Sequence, residues 1–521
     1  MSSASEMAQQ LVRRLLALGV REAVISPGSR SGPVARAICA AEEAGLLRLH
    51  VRVDEREAAF LALGMAKASG QCTPIVTTSG TAVANLHPAM LEAAHAGVQL
   101  LAVTADRPAR LRGTGANQTT DQRHIFPGIQ FVESIEDLVP ADGPTHLNLE
   151  LDEPLTESVP WDFDPVPIDG PIHALGTPAR STVVTVNPGP RTVVVAGDGS
   201  GPEARMVAEA GRWPLLAEPS SGARSGLALT SPRLVLEHSG LSAEIERVIS
   251  FGHATLSRRV VSLLANAAET IHVGTQATFP VRAGDNVNFV DAVEVGAPDG
   301  SAWMGRWQEA DAAVTEAITA LEDDRLAAAR AVWDAVAPRE TLWLGSSNPI
   351  RDVDLLAAPF VPGERRKVLA NRGLAGIDGT VSSAIGAALV RGRTLAYVGD
   401  LTFLHGSNGM LIGPGEPRPD LTIVVANDDG GGIFAGLEQG ATEFADSFER
   451  VFATPTGADL GHLCAAHGIG HTRCMAGDLA ATLQAARPGG INVVEVPMER
   501  RDRRELAAAV ADAARCALRP R

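Results

Sequence analysis

Thr394-Leu-Ala-Tyr-Val-Gly-Asp400, followed by Leu421-Thr-Ile-Val-Val-Ala-Asn-Asp-Asp-Gly-Gly-Gly432, reads as two apolar strands that each stop on an acidic turn. Parallel neighbours joined by a crossover would bring Asp400 and Asp428 to the same sheet edge. Two carboxylates and the carbonyl of Gly430 make a hard oxygen site, suited to Mg²⁺ holding a diphosphate. Gly-Asp and Asn-Asp-Asp-Gly are ordinary turns when taken separately. The interval between the two strand ends is what points to a site.

The same alternation of short strands and longer helices extends outward in both directions. Within the third block, 341–521, further strands are expected at Thr341–Leu344 and Ile491–Val496. A first block, 1–180, carries strands at Ala23–Ser26, Pro74–Thr78 and Leu100–Thr104, with helices starting at Pro33 and Glu55. A second block, 190–337, has strands at Arg247–Phe251 and Thr270–Val273 and ends in a helix over Asp311–Ala337. Between the first two, the prolines from Pro154 to Pro190 read as an extended linker. The expectation is α/β: three doubly wound domains in series with mainly parallel sheets, whose ligands sit at the carboxyl ends of the strands.

Three more strand ends carry candidate chemistry. Ser26-Pro-Gly-Ser-Arg-Ser31 leads into a helix, where backbone amides and Arg30 would attract an anion; a Pro-Gly turn with Ser31 as N-cap fits equally. Val51-Arg-Val-Asp-Glu-Arg-Glu57 places acids in a first helical turn, which also simply suits the helix dipole. Thr77-Thr-Ser-Gly-Thr81 offers amides and hydroxyls to a ligand, or is a tight turn capped by Thr81. Two other patterns are weaker. Gly197-Asp-Gly-Ser-Gly201 lacks dinucleotide spacing, and Gly468 and Gly470 break the helix that would align His462, Cys464, His467 and His471.

Composition excludes several chemistries. The 521 residues hold 45 Lys+Arg against 61 Asp+Glu, a net charge of −16, which argues against a nucleic-acid partner. Lys67 and Lys367 are the only lysines, and neither follows a phosphate-cradling loop or looks like a Schiff-base lysine. Hydrophobic content of 45% and charged content of 20% describe an ordinary globular protein, and aromatics at 4% leave its cores to Ala, Val, Leu and Ile. No apolar run approaches membrane-spanning length, and no basic n-region precedes an apolar one at the N-terminus. Five scattered cysteines without Cys-x-x-Cys spacing fit reduced thiols. A cytoplasmic location without membrane insertion is expected.

Gly399-Asp400 followed by Asn427-Asp428 resembles the signature of thiamine diphosphate enzymes, with Leu401 in place of its last glycine and Asp428 where an asparagine is common. Within that superfamily, Ser26-Pro-Gly-Ser-Arg-Ser, Asp54-Glu-Arg, Thr78-Ser-Gly-Thr-Ala-Val-Ala-Asn-Leu, Thr104-Ala-Asp-Arg-Pro and Gly115-Ala-Asn-Gln resemble the 2-succinyl-5-enolpyruvyl-6-hydroxy-3-cyclohexene-1-carboxylate synthases of menaquinone biosynthesis. Asn371-Arg-Gly, Gly376-Ile-Asp-Gly, Val398-Gly-Asp-Leu and Gly430-Gly-Gly-Ile-Phe resemble them too, and Gly-Asp-Leu is that family's own form. The likeness is dense over the first and third blocks and thin over the second.

The resemblance implies a thiamine diphosphate-binding fold, with pyrimidine-binding (1–180), central (190–337) and diphosphate-binding (341–521) domains. Glu55 would activate the cofactor's pyrimidine and Ile377 would enforce its bend. Ser79, Gly80, Gly399, Leu401, Asn427 and Ile433 would complete the cofactor site. Asp400, Asp428 and the Gly430 carbonyl would hold Mg²⁺ or Mn²⁺. The substrates implied are 2-oxoglutarate, which is decarboxylated, and isochorismate, which accepts the succinyl unit. Both are dianions, best matched by guanidinium forks. Candidates are Arg30, Arg107, Arg351 and Arg372, with Ser29, Asn117, Gln118 and Ser347 as neutral partners and Phe434 beside Ile433 as an apolar wall. Arg258 and Arg259 would add a cation or form a solvated basic turn. The family's site lies between subunits, which implies a homodimer or a dimer of dimers. Competing expectations are an acetolactate synthase-like lyase and a non-catalytic sensor of cofactor or metabolite.

Overall fold

In the computed structural model, residues 3–139, 142–157, 160, 161, 163, 182–274, 287–485, 489–500 and 502–519 are described. Most of the expected Pro-rich linker, from 164 to 181, lies outside them. The N-terminal helix Ala4–Ala17 starts on a capping box between Ser3 and Glu6, and its Leu11 and Leu15 are fully buried.

The first sheet holds β1 (Glu22–Ile25), β2 (Arg48–Val51), β3 (Thr73–Thr77), β4 (Leu100–Asp106), β5 (Gln130–Val132) and β6 (Thr145–Glu150). Their spatial order is β2-β1-β3-β4-β6-β5, and every pairing is parallel. β3 and β4 are buried at every residue, as expected of strands covered by crossover helices on both faces.

The middle part contains β7 (Val183–Val186), β8 (Thr192–Ala196), β9 (Leu215–Ala217), β10 (Arg247–Phe251), β11 (Glu269–Val273), β12 (Val287–Val290) and β13 (Ala292–Val295). Five of these form a sheet in the order β12-β11-β10-β8-β9, while β13 pairs with β7. The single helix expected over Asp311–Ala337 is two helices, Trp303–Thr319 and Asp324–Asp334. The break falls where the Asp323 side chain accepts the backbone N–H groups of Arg325 and Leu326 and so restarts the helix as an N-cap.

The third sheet holds β14 (Thr341–Leu344), β15 (Lys367–Ala370), β16 (Thr394–Gly399), β17 (Leu421–Asn427), β18 (Gly470–Arg473) and β19 (Ile491–Pro497). Its order is β15-β14-β16-β17-β19-β18, again wholly parallel. Counted from its own first strand, this is the order of the first sheet. The chain therefore contains one topology twice.

Packing divides the chain into two compact units: residues 1–178 with 373–392 and 405–420, and residues 179–372 with 393–404 and 421–521. In the first unit, helices Glu55–Ser69 and Thr380–Arg391 cross with their backbones in contact. A Cβ on Gly64 would stand 2.1 Å from the Ser383 carbonyl oxygen, and one on Gly386 would stand 2.3 Å from that of Leu61. Only glycine fits at either place. Among the described residues no helix is long and apolar enough to cross a membrane, and the five cysteines are free thiols.

Candidate active site

The expected site residues fall into two groups at the carboxyl ends of the first and third sheets. In the first unit, Asp54 caps the helix Glu55–Ser69 by accepting the Glu57 N–H at 3.2 Å, and it also accepts the Asn408 amide at 2.9 Å. That cap fixes Glu55 in the first turn, half-buried, where an anion is favoured by the helix dipole. Its Oε2 accepts a hydrogen bond from Asn85 Nδ2 at 3.0 Å. Asn85, at the end of the short helix Thr81–Ala84, lies within the Thr78–Leu86 motif, which by itself assigns it no role.

Beyond β3, Ser79 and Gly80 are locked from two sides. Arg107 Nη1 donates to Ser79 Oγ and to the Gln118 carbonyl, each at 2.7 Å. Gly80, at φ +82°, donates its N–H to Gln122 Oε1 at 3.0 Å. Gln122 is wholly buried, and its Nε2 donates to Asn148 Oδ1 at 2.8 Å, while Asn148 Nδ2 donates to Asp106 Oδ2 at 3.0 Å. Candidate substrate and cofactor residues thus share one hydrogen-bond network, and Gln122 is its unforeseen centre. Gly80 is the N-cap and no side chain caps this helix, so the reading of Thr81 as a cap is corrected: Thr81 is already the first helical residue.

At the end of β1, Ser31 occupies the N-cap of the helix Gly32–Glu43, yet its hydroxyl donates to the Gly28 carbonyl and leaves the helix amides uncapped. Ser29 is exposed and Arg30 is buried, donating to the Leu151 carbonyl at 2.9 Å. Asn117 and Gln118 are exposed, with Gln118 at φ +52°. Ile377 is half-buried, and its carbonyl accepts the Thr380 hydroxyl at 3.0 Å. Gly379 follows at φ +60° against the Phe60 ring, where a Cβ would collide at 1.8 Å.

In the second unit, β16 and β17 run in register to Gly399 opposite Ala426, so Asp400 and Asp428 leave neighbouring strands at one edge. Asp400 Oδ2 accepts the Gly430 N–H at 2.8 Å. Burial raises the proton affinity of both carboxyls above the ordinary range, and the adjacent Asp400 charge raises that of Asp428 further. A Cβ on Gly432 would stand 2.0 Å from Asp428 Oδ2, and one on Gly430 would stand 2.3 Å from the Ala453 carbonyl, so both glycines keep the loop clear. Arg500 steadies it by donating to the Asp428 carbonyl at 2.9 Å. Asn427 turns away: its Nδ2 donates to Glu495 at 2.9 Å. Leu401, Ile433 and Phe434 are half-buried around this turn.

Two arginines stand close by chemistry if not by sequence. Arg351 Nη1 donates to the carbonyl of Ser347, itself at φ +74°, at 2.6 Å. Burial, then the neighbouring Arg372 cation, lowers its affinity for its proton. Arg372 is buried and donates to Thr255 Oγ1 at 2.8 Å. The loop carrying Thr255 is held by Glu218, which accepts the Leu256 N–H at 2.8 Å and whose carboxyl is pushed up to about 8 by burial. Thr255 and Glu218 come from the middle block, where no motif marks them. Arg258 and Arg259 open the helix Arg258–Asn266 exposed, facing Glu438 at 3.4 Å and Glu237 at 3.9 Å.

Two facing carboxylates, Asp400 buried and Asp428 half-buried, are what a divalent cation relieves, and the glycines leave space beside them. Among the described residues no three His, Cys, Asp or Glu side chains converge on a metal site, and the resemblance adds the Gly430 carbonyl as the expected third ligand. Of the histidines set aside earlier, His462 pairs with Asp459 and His471 with Glu495.

Comparison with known proteins agrees with this geometry. Residues 5–125 match the N-terminal TPP binding domain of thiamine pyrophosphate enzymes, and residues 355–496 match the C-terminal TPP binding domain. The chain is 50% identical to a 2-succinyl-5-enolpyruvyl-6-hydroxy-3-cyclohexene-1-carboxylate synthase of Nocardioides sp., over 97% of both chains. It is 44% identical to the synthase of Kineococcus radiotolerans over 95% of this chain and 96% of that one. The synthase of Saccharopolyspora erythraea is 42% identical over 97% of both. With two thiamine pyrophosphate domains and near-complete coverage at such identity, the chain belongs to the 2-succinyl-5-enolpyruvyl-6-hydroxy-3-cyclohexene-1-carboxylate synthase family.

Proposed function

We propose that the chain decarboxylates 2-oxoglutarate and joins the succinyl unit to isochorismate, giving 2-succinyl-5-enolpyruvyl-6-hydroxy-3-cyclohexene-1-carboxylate and CO₂ in menaquinone biosynthesis. The observation that carries this is the 50% identity to a synthase of that name across 97% of both chains. When bound, thiamine diphosphate supplies the nucleophile and electron sink. Glu55, oriented by Asn85, offers the carboxylate that would hold a proton at the pyrimidine N1′. Asp400, Asp428 and the Gly430 carbonyl would hold Mg²⁺ or Mn²⁺, with Ser79, Gly80, Ile377, Gly399, Leu401 and Ile433 lining the cofactor and Asn427 reaching it by its backbone alone.

The adjacent Arg351 and Arg372 cations suit a dianion, since each can meet one carboxylate as a fork. Arg30, Arg107, Ser29, Asn117, Gln118, Ser347 and Phe434 complete the proposed substrate set, with Arg258 and Arg259 at its periphery. The working form proposed is a cytoplasmic homodimer, or a pair of dimers, in which one subunit supplies Glu55 and the other the metal. Three domains are proposed, each around one of the five- or six-stranded sheets: 1–180, 190–337 and 341–521.

The test is turnover of purified protein with isochorismate and 2-oxoglutarate, with and without thiamine diphosphate. Product that depends on both substrates and on the cofactor supports the reading. Robust acetolactate formation from pyruvate would overturn it in favour of another lyase.

A further inference from the structure

The basic run Glu364-Arg-Arg-Lys367 has no part in the site described above, yet it borders a cavity of about 320 Å³ inside the second unit. The cavity opens between the turn after β9 and the loop that enters β15. Its lining contains Arg205, Arg224, Arg365 and Arg366 and not one carboxylate. In a chain of net charge −16, such a lining concentrates cations, although carboxylates just outside it pair with three of the four.

The four cations are not equivalent. Arg224 is buried and spends its guanidinium on Asp354 and on backbone carbonyls, so it is structural. Arg205 pairs with Glu209 at 2.6 Å, and Arg366 with Glu364 at 3.0 Å. Arg366 also lies 4.7 Å above the Phe360 ring, which stacks on Trp333 at 4.3 Å between centroids, so its plane is fixed in advance. Arg365 is exposed and has no carboxylate partner among the described residues. Its backbone sits at φ +57°, two residues after Gly363 at φ +94°. A non-glycine residue held in the left-handed region is costly, and such strain concentrates where a side chain must be aimed. Apart from Ser225, the rest of the wall is apolar, including Pro202, Pro219, Val361 and Val368.

We propose that this cavity binds a small organic carboxylate, separate from the substrate arginines, with its carboxylate on Arg365 and Arg366 and its apolar body against the prolines and valines. A planar carboxylate matches the guanidinium fork, and the apolar wall demands a carbon skeleton that inorganic phosphate lacks. The volume lies at the low end of the range for small-molecule sites, which selects a compact ligand.

The test uses 4-fluorobenzoate, followed by ¹⁹F NMR line broadening on the full-length protein, with 4-fluorobenzyl alcohol as neutral isostere and inorganic phosphate as bare anion. The substrate arginines can hold the same probe, so the decisive quantity is the difference between wild type and Arg365→Ala. Affinity should fall roughly fivefold to tenfold in that variant, consistent with one lost charge-assisted contact. Arg365→Lys should recover part of the loss, and synthase turnover of both variants should match wild type, showing that each is folded. Equal binding by wild type and Arg365→Ala, equal binding of the neutral alcohol, or displacement of the probe from wild type but not Arg365→Ala by equimolar phosphate would each overturn the proposal.

Discussion

The first and third sheets share a strand order but treat their strand-end acids in opposite ways. At the end of β4, Asp106 is fully buried and satisfied: Asn148 donates to it at 3.0 Å, the Arg107 N–H at 2.7 Å, and Arg112 lies 3.6 Å away. At the equivalent end of β17, Asp428 faces a second carboxylate, Asp400, and both hold protons more tightly than usual. One edge is electrically complete from the protein's own donors. The other, on the proposed reading, would be completed by a cation. Topology supplies the place and side-chain chemistry supplies the function, which is why one fold can appear twice in a chain and do two jobs.

The largest expected effect tests whether the first edge handles a proton at all. Glu55→Gln should lower turnover about a thousandfold, within the range for an acid–base group, while thiamine diphosphate binding measured by calorimetry changes little. An unchanged rate would remove Glu55 from the mechanism. Next comes the cation-dependent edge. Asp400→Ala should weaken divalent-metal affinity on the order of a hundredfold, and Asp428→Asn less, both read by titrating Mg²⁺ into metal-free enzyme with cofactor. If Asp428→Asn leaves the metal requirement unaltered, Asp428 is not a ligand and the comparison fails.

Asp106→Asn provides the counterpart. It should cost about 2 kcal/mol of stability in urea unfolding, through the donors it leaves mismatched, with the metal requirement intact. A shifted metal requirement would mean that the two edges are not so distinct. The smallest effect is assigned to Gln122→Ala, which frees the Gly80 N–H. A few-fold rise in KM for thiamine diphosphate is expected with kcat nearly kept, and Gln122→Glu should restore part of it, because its carboxylate still accepts that N–H.

Much of this is legible in the sequence. The strand ends at Asp400, Asp428, Ser79 and Glu55 were readable because short apolar runs bounded by glycine and acid have few other readings. The topological repeat was not, since strand order is a property of pairing and the two sheets use different residues at matching places. Asn85, Gln122, Thr255 and Glu218 were missed because each acts through a partner distant in sequence, and a lone polar residue in a motif or loop carries no signal of its own. The middle helix was read as continuous because its apolar pattern runs on past Asp323. The capping that divides it depends on that side chain's choice of the backbone over solvent.

The crossing of Glu55–Ser69 with Thr380–Arg391 has a consequence for precision. The helices meet along a stretch that runs from Glu57 to Gly64 on one and from Ser382 to Gly386 on the other, with Ser382 bonded to Glu57 and Gly379 against Phe60. Glu55 begins one of them and Ile377 lies just before the other. With no side chain between the backbones at Gly64 and Gly386, nothing compressible remains to take up an error. The pair works as a gauge block: two missing methyl groups set a spacing, and both ends inherit its tolerance.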